Sequence, residues 1–301
     1  MRTSRARRED LRSRFLPSLP ETLRRMPAWL PPPDGSRDRR VEDPTNLYVV
    51  HLAGRALLPL ALRTGVSANV VSLGGLALGS AGAAALYRWS DWRYATLGFC
   101  LGVAWLIADG LDGMIARATK TASPFGRFLD GLCDHGVFLL IYLSLAGSLG
   151  TAGGWWLAVA AGAAHALQAT LYEGERTRFH RRLRAEAPAE TAAPSRNILV
   201  RLYDALADSF DRLSPALDRC LRTAPGRHAL AVTYGERAAP PLRLMVLLSN
   251  NTRLIIIYLA CLAGDPRCFW LLELSVLSVV LGVGIVWLRA VERRLVREWH
   301  A

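Results

Sequence analysis

Apolar residues gather in six runs, and nearly all of the charge lies between them. The runs are Val70–Tyr87, Tyr94–Ile115, Phe125–Leu149, Gly153–Leu171, Leu254–Ala263 with an upstream extension from about Leu244, and Cys268–Leu288. A helix needs about 20 apolar residues to cross the hydrocarbon core of a bilayer, so the pattern predicts an all-α integral membrane protein with six transmembrane helices. A further stretch, Asn46–Thr64, is interrupted by His51, Arg55, Pro59 and Arg63. That mixture suits an N-terminal helix lying in the membrane interface rather than one crossing it.

Charge adds the orientation. The chain is 51% hydrophobic yet carries a formal charge of +12, because its arginines concentrate outside the apolar runs. The N-terminal tail, the Arg117–Arg127 turn, the 174–243 segment and the Arg289–Arg297 tail are basic, whereas Gly147–Gly154 and Gly264–Arg267 are short and nearly uncharged. The positive-inside rule then puts both termini and the basic connections in the cytoplasm of a bacterial inner membrane. Sending Asn46–Thr64 across would place a tail with eleven arginines (1–43) on the outside, so that topology is rejected. The basic surplus is thus topological, and no nucleic-acid partner is expected. Trp89, Trp92, Trp155, Trp156 and Trp270 fall near the outer ends of the runs, as interfacial anchors do. Residues 1–45 are rich in Arg and Pro with no apolar core, so no cleavable signal peptide is expected. Five cysteines without metal spacing read as packing residues.

Four segments follow: a basic cytoplasmic tail over 1–45, the interfacial helix and first four spans over 46–173, a cytoplasmic insertion over 174–243, and the last two spans with a basic tail over 244–301. Within the insertion, Ile198, Leu202, Leu206, Phe210, Leu213 and Leu217 recur at helical spacing, predicting an amphipathic helix bent or broken near Pro215. In the first span Gly75 and Gly79 form a GxxxG pair that lets a neighbouring helix approach closely.

Four carboxylates stand out because they occupy apolar runs. Asp109 and Asp112 are three positions apart, on one side of a helix; Asp130 and Asp134, four apart, form a stripe on the next. Ser123 and Pro124 signal the start of that second helix, with Ser as N-cap and Pro at the first position. At about 1.5 Å of rise per residue, Asp112 and Asp130 lie at matching depths of roughly 9 Å from the connecting turn. Charges inside a membrane face a cavity, a partner or an ion. An all-oxygen cage of this kind suits Mg²⁺ or Mn²⁺ better than zinc. Gly113 and Gly126 remove side chains beside the carboxylates, and Arg117 sets a permanent cation at the cytoplasmic mouth. Together they point to a diphosphate substrate.

Asp109, Asp112, Gly113, Ala116, Arg117, Gly126, Asp130 and Asp134 fill every fixed position of D-x-x-D-G-x-x-A-R-x8-G-x-x-x-D-x-x-x-D. The chain thereby resembles the CDP-alcohol phosphotransferase family. Gly65-Val66-Ser67-Ala68-Asn69-Val70-Val71-Ser72 resembles the segment that opens the family's first membrane helix, with Ala68 where Pro is frequent. The resemblance covers about 65–290 apart from the insertion. It implies a six-helix, usually homodimeric enzyme with a cavity open to the cytoplasm, which passes a phospho-group from a CDP-linked donor to an alcohol and releases CMP. It also implies that Asp109, Asp112 and Asp130 hold two divalent cations, with Asp134 shared between metal and base roles. Gly113, Ala116 and Arg117 would line the cytidine-diphosphate site, and Gly126 would allow close helix approach. The favoured donor is CDP-diacylglycerol and the acceptor a small polar alcohol: inositol or its phosphate, glycerol 3-phosphate or serine. A soluble CDP-alcohol donor with a lipid acceptor is the alternative that the shared motif leaves open.

Three other readings compete. A membrane prenyltransferase also binds Mg²⁺-diphosphate with aspartates, but its acidic motifs lie far apart in sequence. A cation transporter would spread carboxylates through the bilayer depth, whereas these cluster near the cytoplasmic side and Glu273 is the only other clearly intramembrane acid. A silent scaffold would have lost motif residues. Arg243 and Arg253 flank the fifth span as acceptor-phosphate ligands or as simple anchors. His135 turns away from the Asp stripe and reads as packing, and Asn250-Asn251-Thr252 reads as helix-start chemistry.

Overall fold

The computed structural model describes residues 38–184, 215–223 and 226–300, and within them every regular element is a helix. A π-helical turn at Asn46–Val50 leads into α1 (His51–Thr64), followed by α2 (Ala68–Leu86), α3 (Trp92–Thr119), α4 (Pro124–Leu149) and α5 (Ala152–Leu183). After α6 (Pro215–Thr223) come α7 (Arg227–Met245), α8 (Asn250–Leu262), α9 (Arg267–Leu272) and α10 (Ser278–His300). The basic tail to residue 37 and the amphipathic helix expected from Ile198, up to residue 214, lie outside the described residues.

Local chemistry sets the helix ends. Ser67 caps α2 by accepting from Val70 N, and Ser123 caps α4 by accepting from Gly126 N at 3.0 Å, with Pro124 at the first position. Lys120 adopts a left-handed conformation (φ 57°) that ends α3, and Thr121 N donates back to Ala116 O at 2.9 Å. Residues 120–123 therefore form the short connection expected between the two acidic helices.

Among the described residues, four helical stretches are long and apolar enough to cross a membrane: α2, α3, α4 and the run from α9 through α10. The pair α7–α8, bent by 41° about a break at the Val246–Leu248 3₁₀ turn and Ser249, makes up to five. The apolar stretch expected as the fifth span, from about Leu244 to Ala263, is thus interrupted at Ser249. Helix α5 carries the buried His165 and Gln168 in its otherwise apolar half. Its 32 residues extend for about 48 Å at the helical rise, and it runs without a break past Leu171 to Leu183.

Helix α2 lies against both α3 and α4. A Cβ on Gly75 would stand 3.2 Å from Ala108 Cβ, one on Gly79 would overlap Val137, and one on Gly82 would meet Gly98 O at 3.1 Å. The GxxxG pair therefore serves packing within the chain. Helix α3 and α4 meet through Trp105 and Phe138, whose rings pack edge to face at 5.6 Å, both buried. Leu139, Val159, Val279 and Val286 are exposed on the outer faces, as lipid-facing residues are in a helical membrane bundle.

Two expectations are corrected. Trp270 is not an interfacial anchor: it is fully buried and stacks on Tyr142, while Trp92, Trp155 and Trp156 are exposed. Arg253 is neither a phosphate ligand nor a surface anchor, because it is fully buried. Its Nε donates to Glu273 Oε1 at 3.1 Å, its Nη2 donates to Gln168 Oε1 at 2.8 Å, and its Nη1 to Leu248 O. The physical reason is pairing, since a buried carboxylate needs a cation and hydrogen-bond donors around it. The Glu273 carbonyl accepts from Gln168 Nε2 at 3.0 Å at the start of a π-helical turn, Glu273–Leu277, which joins α9 to α10.

A second ionic layer ties α5, α6 and α10. Arg182 pairs with Asp218 at 2.8 Å and with Glu292 at 2.5 Å; Arg289 pairs with Glu292 at 2.6 Å and with Glu175. Around it pack Phe179, Leu217, Leu230, Tyr234 and Leu295.

The glycine seam generates a test. Gly79→Ala should lower stability by about 1–3 kcal/mol through overpacking against Val137, read as a lower thermal midpoint in detergent. Adding Val137→Ala should recover most of the loss; a midpoint unchanged in the single variant would contradict the packing described.

Candidate active site

The acidic cluster is assembled by three helices. Asp109 and Asp112 come from α3 and Asp130 from α4, and one carboxylate oxygen from each lies within 4.8 Å of the others. Asp112 is buried, and Ser72 of α2 donates its hydroxyl hydrogen to Asp112 Oδ2. Helix α2 therefore both sets the separation of the acidic helices and holds one of the carboxylates. The Asp109 carboxyl also lies within side-chain contact of Asp130 and Asp134.

Asp134 stands beside this group of three. Its Oδ2 accepts from Asn250 Nδ2 at 3.1 Å, while its Oδ1 is buried without a hydrogen-bond donor. A buried acceptor left without a donor is costly, and clustered carboxylates in a medium of low dielectric repel strongly. The repulsion among the clustered carboxylates would be met by a hard cation, for which carboxylate oxygens are the usual ligands. The donor set fits divalent magnesium or manganese.

The other motif residues border the cluster. Arg117 is exposed and folds back along α3, its Nη1 lying 3.1 Å from where a Gly113 Cβ would be. Ala116 lies on the turn between them and the helix end, its carbonyl accepting from Thr121 N. Gly126 sits in the first turn of α4, where a Cβ would come 3.3 Å from Ser123 Oγ and 3.7 Å from Asn69 Oδ1. Asn69, Ser72 and Asn250 reach this region without having been assigned a part from the sequence. The first two lie in the Gly65–Ser72 segment, whose resemblance to the family's opening segment assigned neither of them a role. Asn250 had no signal beyond its place at a helix start.

The arrangement offers hard-cation ligands, an exposed guanidinium and a carboxylate oxygen able to accept a proton. Compared with known proteins, the chain matches a family model described as CDP-alcohol phosphatidyltransferase over residues 65–208, a stretch that holds the whole motif from Asp109 to Asp134. No curated protein and no solved structure matches it.

Ser72→Ala should weaken divalent-ion affinity by about 10- to 100-fold, the usual effect of losing a partner that orients a ligand. A Mn²⁺ titration followed by electron paramagnetic resonance reads this directly; wild-type affinity would show that Ser72 does not orient Asp112.

Proposed function

Because the chain belongs to the CDP-alcohol phosphatidyltransferase family, we propose that it transfers a phosphatidyl group from CDP-diacylglycerol to a small polar alcohol and releases CMP. Inositol or its phosphate, glycerol 3-phosphate and serine are the acceptors of this class. The observation that carries the reading is the convergence of Asp109, Asp112 and Asp130 on a space within 4.8 Å, beside a carboxylate that keeps one oxygen without a donor.

Asp109, Asp112 and Asp130, with Asp134 shared, would hold two divalent cations. Bound there, such ions neutralise a diphosphate and stabilise the phosphate that departs. Arg117 contributes a permanent cation at the rim, where it binds the diphosphate of the donor. Gly113 and Gly126 carry no side chain of their own, so the cytidine end would approach the backbone of α3 and α4 there. Asp134 takes the proton of the acceptor hydroxyl through Oδ1, acting as general base. Trp105 and Phe138, each one turn along its helix from Asp109 and Asp134, pack edge to face beside this region.

The same reading makes α5 a further crossing, six in all, and sets the site and both termini on the cytoplasmic side of a bacterial inner membrane. It also makes the protein a homodimer. A lipid-linked donor is consistent with a site carried on membrane-crossing helices, where the diacyl end remains among acyl chains.

The deciding experiment incubates the purified protein with CDP-diacylglycerol, Mg²⁺ and each of a set of labelled alcohols, and scores labelled lipid together with CMP. One alcohol should give both products; CMP release only from a soluble CDP-alcohol with added diacylglycerol would reverse donor and acceptor. Asp134→Asn should abolish turnover with the thermal midpoint kept, and near-normal turnover would remove it from the base role. Arg117→Ala should raise the donor KM about 10-fold or more, as expected for a lost charged contact, with kcat less affected; an unchanged donor KM would count against that contact.

A further inference from the structure

The start of α8 is anchored on either side of one residue. Ser249 caps the helix, accepting from Thr252 N at 3.3 Å, and its hydroxyl donates to Asp43 Oδ2 at 2.5 Å. Asn251 Nδ2 reaches Thr45 Oγ1 at 2.6 Å and Asn46 Oδ1 at 2.7 Å. Asp43 is itself buried and accepts from Thr45 N at 2.7 Å. One turn further along, Arg253 is sealed in with Glu273. Between these fixed points Asn250 alone turns to the acidic cluster, donating from Nδ2 to Asp134 Oδ2 at 3.1 Å.

We propose that Asn250 is a positioning residue that orients the Asp134 carboxylate for proton removal from the acceptor; this rests on the reading of Asp134 as the general base. A carboxylate has two oxygens and rotates freely unless held. The amide occupies Oδ2 and so fixes the rotation, which leaves Oδ1, the oxygen with no donor, as the one that takes the hydroxyl proton. The chemistry of the side chain matters. A neutral amide donates a hydrogen bond without adding charge to a site of four carboxylates. A lysine in its place would pair with Asp134 and compete with both cation and proton, and an apolar residue would leave Oδ2 without a donor. The anchored sequence Ser249-Asn250-Asn251 thus gives the N-terminal segment at Asp43–Asn46 a part in the site that it does not itself touch.

The test measures kcat, donor KM, Mn²⁺ affinity and thermal midpoint for Asn250→Ala, Asn250→Leu and Asn250→Gln. Leu matches the shape of Asn without a donor, and Gln keeps the donor on a longer arm. Ala and Leu should lower kcat about 10- to 100-fold, the range for one hydrogen bond to a charged group. Donor KM, Mn²⁺ affinity and midpoint should stay near wild type, and Gln should recover part of the loss. A wild-type kcat in Asn250→Leu overturns the proposal, and so does a loss confined to donor KM or one matched by a fall in midpoint. Asp134→Asn separates the two ideas. Full turnover there removes the base reading itself, whereas an inactive Asp134→Asn beside a fully active Asn250→Leu removes only the positioning role.

Discussion

Three carboxylates held within 4.8 Å of one another cannot all remain charged in a low-dielectric setting without a counter-charge. Everything else near them serves to impose that approach. Helix α2 packs against both acidic helices, and its glycines let it come close enough to do so: Gly75 lies against Ala108 of α3 and Gly79 against Val137 of α4. Beyond the carboxylates, Trp105 and Phe138 bring the same two helices into ring contact at 5.6 Å. The separation at the level of the acids is therefore a property of the packed bundle. A bound cation would complete the charge balance that the bundle leaves open.

The remainder of the chain supports this bundle through paired charges. Arg253 and Glu273 neutralise each other away from solvent, with Gln168 and the Leu248 carbonyl using the other guanidinium hydrogens. That pairing ties α8 to the α9–α10 run next to the break between α7 and α8, and so sets where Asn250 begins its helix. A second group, Glu175, Arg182, Asp218, Arg289 and Glu292, joins α5, α6 and α10. Buried ion pairs add little net stability compared with apolar contacts of the same volume, but removing one partner is costly. Their effect here is to specify which helices lie together.

Much of this was legible in the residues themselves because the signals are local. Ser123-Pro124 announced the start of α4, the spacing of Asp109, Asp112, Asp130 and Asp134 announced the cluster, and Gly75 and Gly79 announced a close helix contact. What escaped was tertiary. Asn250 meets Asp134 across 116 positions of chain and Ser72 meets Asp112 across 40, and no periodicity encodes such pairs. Arg253 and Trp270 were misread for a related reason. An arginine near a helix start and a tryptophan near a helix end resemble surface anchors until their partners, Glu273 and Tyr142, are seen. At the π-helical turn Glu273–Leu277 the first carbonyl accepts from Gln168 of α5, a contact that the local sequence does not announce.

The central claim is that the acids of α3 and α4 form a two-cation centre. The most direct measurement is anomalous diffraction from crystals grown with Mn²⁺ and a CDP-linked donor. Two manganese peaks about 3.5–4 Å apart, bounded by Asp109, Asp112 and Asp130 with Asp134 alongside, are the result expected. Manganese bound elsewhere, or none among these carboxylates with the donor in place, would contradict it.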